Sequence, residues 1–184
     1  MNIAQTVSFL NERLSANLRD ATYALLSDSL KAKLKYVDPS EWYPIEDQVE
    51  LQRAMAKAIG SDEKAEAKQR ELGQYLFDAA LGTFMRLVLR VLTPPMFLKK
   101  TSDIWPRMFS FGSFEADPST MGDGTAVMLL RGVEGCDGVA AVSAGFIEAA
   151  MKAMNYGEVH VSYEPMSSDP QGSYRFVVQW AKAA

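Results

Sequence analysis

One cysteine and one histidine occur among the 184 residues. A lone thiol closes no internal disulfide, and a lone imidazole without a cysteine cluster falls short of the usual zinc ligand sets, so neither a disulfide staple nor a metal site is expected. No GK[ST] is present, and the glycines of GDG, RGVEG and CDG lack the strand and helix context of a phosphate or dinucleotide loop. No G-x-S-x-G elbow sets a serine on a strained turn. Long apolar runs are missing too. The most apolar stretch, Leu81 to Leu92, is broken by Arg86 and Arg90 and stopped by Pro94 and Pro95, too short and too charged to span a bilayer. The opening MNIAQTVSFLNERL has no basic region and no apolar core, so a secretory signal is not expected. A basic excess is lacking as well: 19 Lys and Arg stand against 23 Asp and Glu, and residues 101–184 carry 5 basic and 10 acidic groups. Such a balance argues against nucleic acid and anionic membranes, whose binders gain from a positive field. These absences predict a cytoplasmic protein with no cofactor, no nucleic-acid partner and no membrane insertion.

What is present suits an ordinary core. Apolar residues make up 48% and charged residues 23%, and a chain of this length buries roughly 70% of its unfolded surface. A single domain over 1–184 is expected, mainly helical over 1–106, with two hairpins joined by a helix over 107–184. The organising stretch is Gly135 to Gly157. Val139, Val142, Phe146, Ala150 and Met154 recur at helical steps, Asp137 is placed to cap the start, and Asn155 with Gly157 suits a left-handed stop. Glu148 and Lys152, four apart, mark a face expected to meet water. FSFGSF and GTAVMLLRGV before it, EVHVSYEPM and GSYRFVVQWA after it, read as strands.

Upstream, Val7, Leu10, Leu14 and Leu18, then Tyr23, Leu26, Leu30 and Leu34, predict two short helices or one bent one. In DPSEWYP, Trp42 and Tyr43 are expected to pin the connection to the core. A helix follows from Ile45 to Ile59, closed by Gly60, and Ser61-Asp62-Glu63 opens the next. Its first turns, EKAEAKQRE, predict a solvated face, and its second half, from Leu72, a buried stripe of Leu72, Leu76, Ala79, Ala80 and Thr83. Gly73 and Gly82 suggest close helix approach or a break. MFLKKTSDIWPRMF predicts one short amphipathic helix that carries Met96, Phe97, Ile104 and Trp105 inward. The class is α+β: an N-terminal helical layer packed on a four-stranded antiparallel sheet of β-β-α-β-β order.

Side chains able to carry chemistry are few. His160 and Ser162 share one face of a predicted strand, which also carries Glu164, and a solvated polar face accounts for the trio. Cys136 precedes the central helix, whose dipole would favour a thiolate, while Glu134 and Asp137 disfavour it. Paired carboxylates such as Glu46 and Asp47, or Asp62 and Glu63, are helix starts. Tyr174, Phe176, Val178 and Trp180 alternate on one face of the last strand as core. No catalytic constellation emerges, and a hydrolase or thiol enzyme built on His160 or Cys136 ranks a distant third among the functions considered.

The run RELGQYLFDAALGTFMRLVLRVLTPPMFLKKTSDIWPRMFSFG, with a closing hairpin ending in RFVVQW, resembles a myxobacterial family of uncharacterised proteins. That family is similar to the superfamily of heme nitric-oxide-binding domains, 4-vinyl reductase domains and TRAPP subunits. The resemblance implies helices against a four-stranded sheet, frequent dimerisation, and an apolar cavity that in relatives holds heme, an aromatic effector or an acyl chain. The chain departs from both ligand-binding patterns. Its histidine lies on a predicted strand rather than a helix, Ser173-Tyr174-Arg175 does not match Tyr-x-Ser-x-Arg, and the clustered cysteines of the reductase branch are absent, so no site residue transfers. The first functional expectation is a non-catalytic regulatory or interaction module with a protein partner, acting through a homodimer. The alternative is a sensory domain with an apolar small molecule between helices and sheet. For either, the residues singled out as cavity or interface are Leu76, Phe77, Ala80, Phe84, Leu87, Phe97 and Trp105.

Overall fold

The computed structural model describes residues 3–80, 89, 91–122, 124–136, 138–167 and 172–182. The N-terminal segment forms three short helices rather than two: α1 (Ala4–Arg13), α2 (Ala16–Ala24) and α3 (Asp28–Leu34). Serines make the extra break. Ser15 and Ser27 are N-caps whose hydroxyls accept from Leu18 N and Leu30 N, so each begins a new helix where apolar periodicity alone runs on. Ser27→Ala is expected to cost about 1 kcal/mol, read as a lower urea midpoint at unchanged slope.

Helix α4 (Ile45–Ile59) ends where expected, at a left-handed Gly60 whose N–H donates to Ala56 O. Trp42 does not pin the preceding connection: it is 59% exposed, and Tyr43 does the anchoring, its hydroxyl accepting from Asp38 N at 2.8 Å while its ring joins the helical core. Helix α5 (Asp62–Ala80) buries Leu72, Gly73 and Phe77, but Ala79 and Ala80 are exposed. Thr83 and Gly82 lie outside the described residues. The segment read as one amphipathic helix is two, α6 (Pro94–Lys99) and α7 (Thr101–Met108), and Met96 points to solvent.

The sheet follows the predicted strand order in sequence. Strands β1 (Ser113–Ala116) and β2 (Thr125–Arg131) form a hairpin around a 3-10 turn at Pro118–Thr120. Helix α8 (Val139–Ala153) then leads to β3 (Tyr156–Pro165) and β4 (Ser173–Lys182). All pairings are antiparallel, in the spatial order β1-β2-β4-β3. Register Met128↔Phe176 and Val161↔Val178 puts these four side chains on one fully buried face, together with Ala126 and Leu130. His160, Ser162 and Gln179 occupy the opposite, exposed face.

Helix α8 is not half-wet. It is packed against α5 on one side and the sheet on the other, and Ala140, Ala141, Ser143, Ala144 and Ile147 are buried as well as Val139 and Val142. Its start is an uncapped, left-handed Gly138, with Asp137 outside the described residues, and its end is a left-handed Asn155. The α5–α8 contact is backbone on backbone. A Cβ added at Gly73 would stand 2.0 Å from Val142 O, and one at Gly145 would stand 2.0 Å from Arg70 O. Two apolar clusters meet along this seam. One, of Phe9, Leu10, Leu30, Leu51 and Met55 among others, lies among α1–α5, and the second lies between α8 and the sheet.

Candidate functional site

A small apolar cavity lies where α5, α6 and α7 meet α8 and β1. Its volume is about 60 Å³, and its described lining is Leu76, Phe97, Thr101, Ile104, Trp105, Phe109, Phe114, Val142, Ser143, Phe146 and Ile147. The local sequence dictates this wall. Pro94 and Pro95 fix the start of α6, where missing N–H groups cost nothing, and Phe97 and Leu98 turn inward. Thr101 Oγ1 donates to Leu98 O at 2.6 Å across the α6–α7 junction. Trp105 is 6% exposed, and its indole N–H donates to Phe111 O at 2.7 Å, which locks the ring over the sheet. Around it stand Phe109 at 4.2 Å and Phe114 at 5.5 Å between centroids, with Phe176 a further 5.1 Å from Phe114. Thr101 and Ser143 are the polar side chains of this described lining.

Of the residues singled out from sequence, Leu76, Phe97 and Trp105 line the cavity. Phe77 stands behind it, buried, with its ring edge-on to Phe146 at 5.2 Å. Ala80 is exposed at the end of α5, away from the described lining. Phe84 and Leu87 lie outside the described residues. Sequence reasoning passed over Phe109 and Phe114 as strand positions and over Ser143, which sits between the apolar positions of its helix.

The chemistry-bearing residues are dispersed. His160 is exposed on the outer face of the sheet beside Gln179 and Lys152. Cys136 is half-buried in the loop before α8, at a separate open groove of about 590 Å³ that also involves Leu25, Glu50, Arg53 and Lys57. Arg53 Nη2 donates to Gly135 O at 3.0 Å there. Among the described residues no three His, Cys, Asp or Glu side chains are grouped to hold a metal ion, and no helix is long and apolar enough to cross a membrane.

One polar constellation was not visible in sequence. Arg70, on the stretch of α5 expected to be solvated, is 22% exposed at its side chain and ties three elements together. Nη1 pairs with Glu148 Oε1 of α8 at 2.7 Å, Nε with Glu66 Oε1 at 3.1 Å, and Nη2 donates to Val161 O of β3 at 3.1 Å. The guanidinium also lies 5.4 Å from the Tyr163 ring centre. Burial, with the Glu66 carboxylate adding to it, pushes the Tyr163 hydroxyl far above its ordinary range, so it stays a neutral donor.

No known protein-family pattern matches the sequence, and none of the curated proteins matches it. Solved structures do. The Fe(II) unliganded H-NOX protein from K. algicida superposes with a TM-score of 0.75 at 9% identity, over 99% of this chain and 97% of that one. A Cs H-NOX mutant carrying 4-cyano-L-phenylalanine gives 0.70 at 12% identity, over 99% and 96%. An oxygen-binding H-NOX domain related to soluble guanylate cyclases, in its oxygen complex, gives 0.63 at 13% identity, over 100% and 96%. At these identities the likeness establishes a shared α+β fold.

Proposed function

We propose that this chain is a non-catalytic sensory or regulatory module that takes an apolar small molecule into the cavity between α5, α6, α7, α8 and β1. The observation that carries this reading is the cavity's lining: five aromatic rings, five aliphatic or hydroxyl-bearing residues of α7 and α8, and Leu76, with no charged side chain among them. Pockets of this composition hold ligands by exclusion of water, and a few hydroxyls orient them. The solved structures that share the fold include an oxygen-binding domain, which supports a ligand-responsive role for a chain built on the same frame. The whole of 1–184 acts as one domain in this reading, related at the level of the superfamily that the sequence resembles. A second reading, a docking module with a protein partner or a second copy, is favoured by the exposed aromatics Tyr36 and Trp42 within the α3–α4 connection.

Xenon is a suitable probe, because it is apolar and small enough for a cavity of this size. Titration of the full chain followed by 129Xe NMR is expected to give a saturable shift, and Leu76→Trp, which fills the cavity, is expected to remove it. A shift linear in protein and identical in Leu76→Trp would sink the proposal.

A further inference from the structure

The fold shared with these H-NOX domains raises the question of heme, since a further structure with this fold concerns heme distortion in the H-NOX family. We infer that this chain uses the fold without heme, its own aromatic side chains occupying the space between α7 and the sheet. Three independent observations lead there.

Heme iron needs an axial His, Cys, Met or Tyr. None of the described cavity-lining residues is of those types. The chain's one histidine, His160, projects from the exposed face of the sheet, while its neighbour Val161 points inward at 0% exposure. To bring His160 into the cleft, β3 would have to slip by one residue and turn every inward side chain out. Cys136 stands elsewhere, at the groove beside α4.

The space is also too small. Cofactor-sized sites run to about 300–1,000 Å³, and here the cavity is about 60 Å³. What fills the difference is specific: Trp105, tethered by its indole N–H to Phe111 O, with Phe109 and Phe114 packed on it and Phe176 behind. Heme would have to displace a hydrogen-bonded tryptophan that is 6% exposed.

The third observation is electrostatic. A heme's two propionates favour cationic partners at the mouth of the cleft, yet the described lining carries no Lys or Arg. Arg70, the cation on α5 six residues before Leu76, is already engaged by Glu66, Glu148 and Val161 O.

The test uses the full chain, expressed with the heme precursor 5-aminolevulinate and purified without denaturant, and a second sample to which hemin is added before gel filtration. Both are expected to elute folded by circular dichroism and without Soret absorbance. Soret absorbance at one heme per chain that survives gel filtration would overturn the inference. Partial occupancy is resolved by adding apomyoglobin: immediate transfer of the heme marks surface capture and supports the inference, and retention overturns it. Heme retention would leave the xenon result, and with it the reading of the module as ligand-binding, to stand or fall separately.

Discussion

Gly145→Ala is expected to lower the unfolding free energy by about 3 kcal/mol or more, the upper end of overpacking costs. Two effects of opposite sign compete. In the middle of a helix, alanine is intrinsically better than glycine by about 1 kcal/mol. Against that, the added Cβ would lie 2.0 Å from Arg70 O and 2.7 Å from Arg70 C, both backbone atoms of α5, so no rotamer change can relieve it and the two helices must separate. The clash wins. Gly73→Ala tests the same seam from the other helix, since its Cβ would meet Val142 O at 2.0 Å and Phe146 N at 2.8 Å. Gly60→Ala is the control: nothing stands within 4 Å, and its φ of +72° costs only the left-handed strain, about 1–2 kcal/mol. Urea unfolding of the three variants separates the cases, and equal losses at Gly145 and Gly60 would show that the α5–α8 seam is not tight.

Arg70→Met is expected to cost about 2 kcal/mol. Methionine keeps the apolar stem in place while removing the charge, so the loss reports the ion network rather than a cavity. Glu148, whose side chain is 15% exposed, would be left without its partner, and the Val161 carbonyl without its donor. The full cost of an orphaned buried charge, about 3–5 kcal/mol, is discounted because Glu148, the charge left behind, retains some contact with water. Adding Glu148→Gln to Arg70→Met is expected to recover part of the loss. A double-mutant cycle by urea denaturation measures the coupling, and additivity within about 0.5 kcal/mol would mean that the two residues do not interact.

The parts of the fold that were legible in the sequence are those set by local rules. Strand alternation in EVHVSYEPM and GSYRFVVQWA gave the correct faces because one side of the sheet is buried and a period of two cannot hide that. Helix α4 was legible from its glycine stop. The errors share a cause in tertiary context. Helix α8 reads as amphipathic from its larger residues, but alanines, a serine and a glycine make its other face equally close-packed, and small residues look neutral in a periodicity argument. EKAEAKQRE reads as solvated because Arg70 needs two partners, Glu148 and Val161, that lie 78 and 91 residues away. Ala80 belonged to a continuous stripe on paper, whereas in the structure it is exposed. Of the candidate cavity, Leu76, Phe97 and Trp105 were visible as apolar helix positions, while Phe109 and Phe114 were assigned to the strand they precede or enter.

The sheet order β1-β2-β4-β3 has a consequence for how the molecule is made. β4, the last strand described, sits in the interior and is the only one that joins β2 to β3. As the chain is synthesised, the first hairpin and α8 emerge with their inward side chains uncovered, Met128 and Leu130 among them, and β3 has no neighbour to pair with until Ser173–Lys182 follows. Closure by such a non-local strand is slow relative to helix formation, which lengthens the interval in which unpaired strand edges are open to other chains. The ribosome-bound precursor, rather than the finished protein, is therefore the species most in need of chaperone cover.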